Sequence, residues 1–336
     1  MVRSSGRFRS GPQNDGGQPA KQAMKDLANF ELVTRNEWSG EVLIPQTNLI
    51  GYQRIYEAET WLRRICLASF LLAEGPAWAI TVEPSLRSRI QEETARNSSR
   101  WYLGADSEEE LLWSTTQGQL GQLLRQENIG PHVLHLCGIP GELLAEHLKS
   151  LAQIRNTLAH NRAISEDTLT ILEGSLTIVT AAVKRFKGHT LYASSNNPSD
   201  FEDEDHDLRE MYSEFEQGER RFPDQQLFFT ANDDFVFLVR LPVQQFGRWP
   251  NSARMSISLG ISSHLLLCVL ANKECDELQF VMPRRLPSEE KIKVLHCFMT
   301  NEILRDAWTE TSPDEQNPAR ACWPKLWFYE NRRPDA

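Results

Sequence analysis

The stretch of this chain best suited to chemistry is LKSLAQIRNTLAHNRAI, residues 148–164, where Arg155, Asn156 and His160 stand close together. An imidazole with an ordinary pKa of about 6.5 can move protons near neutral pH. A guanidinium stays charged and offers two parallel donors to a phosphate, so it can stabilise charge that develops there. The Asn156 carboxamide can orient a ribose, a phosphate or the imidazole itself. These types suit proton transfer beside a bound anion.

Placed on a helix with Leu151 at zero, Leu144, Leu148, Ile154 and Leu158 fall within about 60° of it and form one apolar stripe. Arg155 falls at about 40°, inside the stripe. A guanidinium there needs a partner, because burying an unpaired charge is costly. A carboxylate of a neighbouring helix (Glu59 is one), a second subunit or a phosphate would serve. Asn156 and His160 are four apart and share an outward face. Arg155 and His160 differ by about 140°, so one straight helix does not bring them neatly together.

The elements that must hold this segment read as helices. NLIGYQRIYEAETWLRRICLASFLLAEG, residues 48–75, is amphipathic at steps of three and four and stops at Gly75-Pro76. Further helices are expected over 84–96, from Ser107 with its acidic start to Glu127, over 141–162 after Pro140, and from Ser165 to Lys187, closed by Gly188. No strand pattern interrupts them, so 48–188 reads as an antiparallel helical bundle. Residues 1–47 read as an N-terminal arm: disordered to about 22, then a short helix and an extended EVLIP. Residues 189–222 read as an acidic linker with a short helix over 207–217.

Residues 223–336 change character. LFFT, DDFVFLVRLPV, RMSISLGI and ELQFVMP are short, rich in β-branched and aromatic residues, and separated by turn residues. A helix follows from Ser288, read as an N-cap with Glu289 and Glu290 behind it, and runs to about Trp308. The aromatic tail WPKLWFYENRR is expected to pack back on the sheet. The fold class is therefore α+β: an all-α bundle followed by a small α+β domain.

Arg155-Asn156-Thr157-Leu158-Ala159-His160 resembles the R-x(4–6)-H signature of the HEPN superfamily, and I-R-N-x-x-A-H-N is similar to the branch with many prokaryotic toxins and antiviral defence nucleases. Glu59-Thr60-Trp61-Leu62-Arg63 resembles the E-x-x-L-R pattern on the opening helix of that branch. The likeness covers about 140 of the 336 residues. It implies a metal-independent endoribonuclease in which the RNA 2′-hydroxyl attacks the adjacent phosphorus and leaves a 2′,3′-cyclic phosphate. Arg155, His160 and Asn156 would be catalytic, with Glu59, Arg63, Asn161 and Arg162 in support. It also implies a homodimer through the bundle, with single-stranded or transfer RNA as substrate. The same family holds members that bind nucleotides or partners and do not cut, so a regulatory or assembly module is the alternative. A nucleotide sensor reading its ligand through the C-terminal domain is a third.

Other groupings carry less. Glu57 and Glu59 are two apart and face different ways on a helix, so they are no carboxylate pair. His132 and His135 lie near Cys137, but no further ligands stand at metal spacing, and Pro131 and Gly138 suggest a short turn. Neither a metal nor a cofactor is expected. The acidic run Glu202–Asp205 with His206 lacks the glycine and terminal glutamate of a calcium loop; folded over a basic cleft, it would restrain it as a phosphate mimic. Trp61, Trp78, Trp101 and Trp113 read as core or interface residues. The six cysteines form no C-x-x-C pair and read as reduced thiols.

The net charge is −10, unusual for a nucleic-acid enzyme. Residues 188–222 hold ten acidic and three basic side chains, so most of the imbalance sits in one segment and a basic patch elsewhere is compatible with it. No apolar run approaches the ~20 residues of a membrane span, and the N-terminus lacks a secretory apolar region, so no membrane partner and a cytoplasmic location are expected. The C-terminal domain carries no phosphate loop or Ser/His/Asp set; a trigger, a partner protein or a phage component would be its target.

Overall fold

Leu144, Leu148, Leu151, Ile154 and Leu158 recur at helical spacing, and all five are buried along one side of the helix Gly141–Ala159. The computed structural model describes residues 31–36, 40–98, 111–160, 162, 164–190, 206–221, 226–241, 265–272, 278–299 and 326–329. In chain order the elements are β1 (Glu31–Asn36), β2 (Gly40–Pro45), α1 (Gln46–Glu74), α2 (Pro84–Ser98), α3 (Gln117–Leu124), α4 (Gly130–Cys137), α5 (Gly141–Ala159), α6 (Glu166–Thr190), α7 (His206–Arg221), β3 (Gln226–Ala231), β4 (Phe235–Leu241), β5 (Cys268–Asn272), β6 (Leu278–Pro283), α8 (Ser288–Met299) and β7 (Leu326–Tyr329). The class is α+β. No helix among the described residues is by itself long and apolar enough to cross a membrane; α1 and α2 pass such a test only as a pair bent by 70°.

Helix α1 is the centre of the bundle. Every residue from Ile65 to Leu72 is buried, as are Ile55 and Leu62. Helices α3, α4, α5 and α6 pack against it. A one-turn-plus 3₁₀ segment, Gly75–Ile80, follows α1 at the expected Gly-Pro break and seats Trp78 on Phe70, ring centres 5.0 Å apart. Trp61 is half-buried, stacked edge-on to Phe186 and flanked by the Arg64 and Lys187 cations, each 4.4 Å from the ring centre. Burial draws the Arg64 guanidinium down to about 10, with Cys268 of β5 and Tyr56 acting the other way.

The sheet order is β3-β4-β6-β5-β7, antiparallel except for β7, which runs parallel to β5. Its side chains alternate between two cores, as the period of two requires. Phe235, Phe237, Val239, Cys268, Leu270 and Val281 join the core of the helical bundle. Phe229, Val236, Leu238, Val269, Phe280 and Met282 face the other way and pack with Met211 and Phe215 of α7 and Leu295 and Phe298 of α8. The molecule is thus layered as bundle, sheet and helix pair.

Several expectations need correction. Residues 31–36 form a strand paired with EVLIP, which leaves the expected short helix only 23–30, outside the described residues. The expected helix from Ser107 begins only at Gln117. Thr116 is its N-cap, and a reciprocal pair with Gln119 satisfies two backbone N–H groups. The acidic start of 107–110 lies outside the described residues. His132 and His135 sit not in a turn but on helix α4, which starts at Gly130-Pro131 and ends at Gly138 in the left-handed conformation (φ 65°). Helix α5 ends at Ala159 rather than 162, with His160 as its C-cap. Helix α6 runs through Gly188 to Thr190. Ser288 is inside the first turn of α8, and the Pro287 carbonyl accepts the opening N–H groups instead. The Ser288 hydroxyl has no partner among the described residues.

Strand β5 lies outside the runs that the sequence marks as strands. Its run LLLCVL shows no alternation because the strand lies between β6 and β7 and is buried on both faces. The tail expected to return to the sheet does so as β7. RMSISLGI, the end of the expected C-terminal helix, Trp101, Cys275, Cys322, the disordered arm and the acidic run 202–205 lie outside the described residues. Cys66, Cys137, Cys268 and Cys297 are in no disulfide among the described residues.

Two glycines test the packing of α5 and α6. A Cβ on Gly138 would need a left-handed backbone and would overlap the Arg185 guanidinium, which can swing away. A Cβ on Gly141 would overlap the Leu124 carbonyl, which is backbone and cannot. Gly138→Ala should therefore cost about 1 kcal/mol and Gly141→Ala the upper end of ~1–3 kcal/mol or more, read as shifts in the urea unfolding midpoint.

Candidate functional site

The last turn of α5 is placed by its contact with the first turns of α1. Gly51 lies against Leu158 and Leu172, so a Cβ there would sit 3.2 Å from Leu158 Cδ1 and 3.5 Å from Leu172 Cδ2. That close approach brings the start of α1, the end of α5 and the start of α6 to one corner. Past α5 the chain is tied to the same corner, where Asn48 Nδ2 donates to the Arg162 carbonyl at 3.4 Å.

Arg155 is half-buried at the edge of the apolar stripe, and its guanidinium carbon lies 5.9 Å from the centre of the Tyr52 ring. A ring face stabilises a cation without neutralising it. No carboxylate pairs with Arg155 among the described residues. The anticipated need for an anionic partner is thus met only in part, by an aromatic face and by solvent. Tyr52 counted in the sequence only as one of the apolar repeats of α1; its phenol ring is the partner that local spacing could not reveal.

Asn156 and His160 are exposed, as their shared outward face requires. His160 caps α5 with its backbone N–H on the Asn156 carbonyl, at 3.3 Å. The His160 ring has no hydrogen-bond partner among the described residues. No hydrogen bond joins Arg155 and His160 among the described residues, and α5, helical through Ala159, turns them to different sides. The Arg162 side chain is exposed beyond the helix; Asn161 lies outside the described residues.

Glu59 and Arg63 do not belong to this corner. They form a buried ion pair at 2.6 Å one turn apart on α1. Gln117 Nε2 donates to the other Glu59 oxygen at 2.7 Å. Arg63 also donates through Nε to the Leu112 carbonyl (3.1 Å) and through Nη2 to the Thr115 carbonyl (2.8 Å), with its plane 5.9 Å from the Trp113 ring. This network fastens the segment before α3 to α1. The proposed pairing of Arg155 with Glu59 is therefore not made: the carboxylate is committed to Arg63 and Gln117. Among the described residues, Glu57 accepts only from exposed Gln53.

The role of the Glu59–Arg63 pair is structural, and breaking it leaves a charge stranded in the interior. Glu59→Ala and Arg63→Ala should each lower stability by ~3–5 kcal/mol. Glu59→Leu combined with Arg63→Leu should lose much less than the sum of the single changes, measured by chemical denaturation in a double-mutant cycle. No protein-family model, no curated protein and no solved structure matches this chain.

Proposed function

We propose that this protein is a metal-independent endoribonuclease of the HEPN type, acting as a homodimer on single-stranded or transfer RNA. The reading is supported most by one observation: at the end of α5, a solvent-facing imidazole and a guanidinium without a carboxylate partner among the described residues stand five residues apart. The motif sits on a late helix of a bundle organised around a long first helix, which fits the resemblance.

In the proposed reaction His160 takes the proton of an RNA 2′-hydroxyl as its oxygen attacks the adjacent phosphorus. The bond to the 5′-oxygen breaks, that oxygen receives a proton from a second imidazole, and a 2′,3′-cyclic phosphate remains. Arg155 binds the non-bridging oxygens, where charge accumulates. Asn156 positions the ribose or the imidazole. Because one helix turns Arg155 and His160 apart, the site is completed by the same corner of a second copy. Leu49, Tyr52 and Tyr56 support that arrangement: they are 42%, 39% and 60% exposed and lie at i, i+3 and i+7 on α1, and Tyr52 lies beside Arg155. In this setting the protein would act as a toxin or antiphage effector.

The alternative is a non-catalytic HEPN-type module that binds a nucleotide or partner as a regulatory or assembly subunit. It is favoured by the net charge of −10 and by the lack of a hydrogen bond between Arg155 and His160 among the described residues. The C-terminal sheet would then serve the partner protein.

Purified protein incubated with single-stranded and transfer RNA, with and without EDTA, separates these readings. Cleavage should resist the chelator, and His160→Ala should lower its rate by ~10²–10⁴-fold. Arg155→Ala should lower it by ~10²–10³-fold, and Arg155→Lys should not restore it, since a lysine lacks the planar fork. RNA binding without cutting by the unaltered protein would favour the module instead. Sedimentation should report a dimer, and Leu49→Glu with Tyr56→Glu should yield a folded monomer with reduced cleavage; an unaltered monomer with full activity would remove the dimer from the proposal.

A further inference from the structure

Three polar side chains from three separate elements meet where the bundle joins the sheet. His135 comes from the last turn of α4, His189 from the last turn of α6, and Asp234 from the turn between β3 and β4. His135 Nε2 lies 2.9 Å and His189 Nδ1 3.4 Å from the same carboxylate oxygen, Asp234 Oδ2. One ligand atom from each residue lies within 4.8 Å of the other two. The two imidazole ring centres are 5.2 Å apart.

The carboxylate is held in place before any ligand arrives. Asn232 Oδ1 accepts from the backbone N–H of Asp234 at 3.0 Å and of Phe235 at 2.7 Å. Asn232 Nδ2 donates to the His189 carbonyl at 2.9 Å, which ties the turn to the end of α6. The Asp234 carbonyl accepts from the Arg284 N–H at 2.8 Å, and Arg284 Nη1 donates to the Asn232 carbonyl at 3.2 Å. Next in the chain, Phe235 is fully buried. Such outer support is what orients metal ligands. The side chains themselves remain reachable, with His135 50% and His189 34% exposed.

We propose that His135, His189 and Asp234 form a binding site for a divalent cation of the zinc class, clasping the helical bundle to the β-sheet. Two imidazole nitrogens and one carboxylate oxygen are a borderline donor set that suits Zn²⁺ better than Mg²⁺ or Ca²⁺. Tetrahedral bonds of about 2.0 Å put ligand atoms roughly 3.3 Å from one another, close to the two separations on Asp234 Oδ2. Three protein ligands leave a fourth position open to water. His135 hydrogen-bonds Asp234 Oδ2, and His189 Nδ1 lies 3.4 Å from the same oxygen, so the three ligand atoms already converge. This site uses elements other than the end of α5, and the proposal stands independently of the nuclease reading.

The test is titration of the tag-free full-length protein, stripped by chelation, with Zn²⁺ in isothermal calorimetry, and with Co²⁺ followed by its visible absorption. One equivalent should bind. The cobalt spectrum should show ligand-field bands without the intense thiolate charge-transfer band that a cysteine site would give. His135→Ala, His189→Ala and the near-isosteric Asp234→Asn should each weaken binding by at least ~100-fold, the upper end of what loss of an outer-shell partner does. His296→Ala, on α8 across the sheet, should leave it unchanged. Circular dichroism of each variant checks that it is folded; should an alanine variant unfold, Asp234→Asn decides. No binding, a thiolate band, or binding that persists in folded Asp234→Asn and His189→Ala would overturn the site. Loss of zinc binding in His135→Ala with RNA cleavage retained would separate this site from the proposed catalytic corner.

Discussion

Helix α1 is enclosed on every side from Ile65 to Leu72, and that enclosure governs the polar chemistry around it. A helix end that enters such a core has to neutralise its charges locally, because water is not available to do so. Glu59 and Arg63 stand where α1 passes from solvent into the core, and they neutralise one another. Their remaining hydrogen-bonding capacity is taken up by Gln117 and by the carbonyls of Leu112 and Thr115. The pair therefore fastens the entry to α3 onto α1, and residues that resemble a family motif are explained by folding alone.

The same enclosure sets the layering. The bundle shields α1 on several sides, and the inner face of the sheet adds Phe235, Phe237 and Leu270 to the same core. The outer face then has apolar side chains of its own, which α7 and α8 cover. A sheet buried on both faces has few places for polar groups. Polar clusters consequently gather at its turns, and the turn carrying Asn232 and Asp234 meets the last turns of α4 and α6. His132, one turn before His135, sits in the same neighbourhood. Burial holds it below the usual imidazole range, as do the charges of Arg285 and His135, while Asp234 and Glu74 act in the opposite direction.

At the far end of α5 the constraint is relaxed. Arg155 escapes full burial at the rim of the stripe, where Tyr52 offers a ring face, and His160 escapes by ending the helix. Neither is needed to hold the bundle together, which distinguishes them from Glu59 and Arg63. A cation without a carboxylate partner and an imidazole without a hydrogen-bond partner among the described residues are available for a ligand.

What the sequence determined by itself were the features that depend on near neighbours along the chain. The apolar steps of α1 and α5, the Gly75-Pro76 stop, the β-branched and aromatic runs of β4 and β6, and the spacing of Arg155, Asn156 and His160 were all legible, because local composition and periodicity record what an element buries. Two-sided burial erased that signal in β5, and the two turns of α4 were too short to show it. Tertiary structure alone decided which partners meet: Gln117 with Glu59, Tyr52 with Arg155, and Asp234 with two histidines, one of them 99 positions away in the chain. Periodicity records that a face is covered but not by what, and a charge or a ligand set is completed by whatever the packing brings against it.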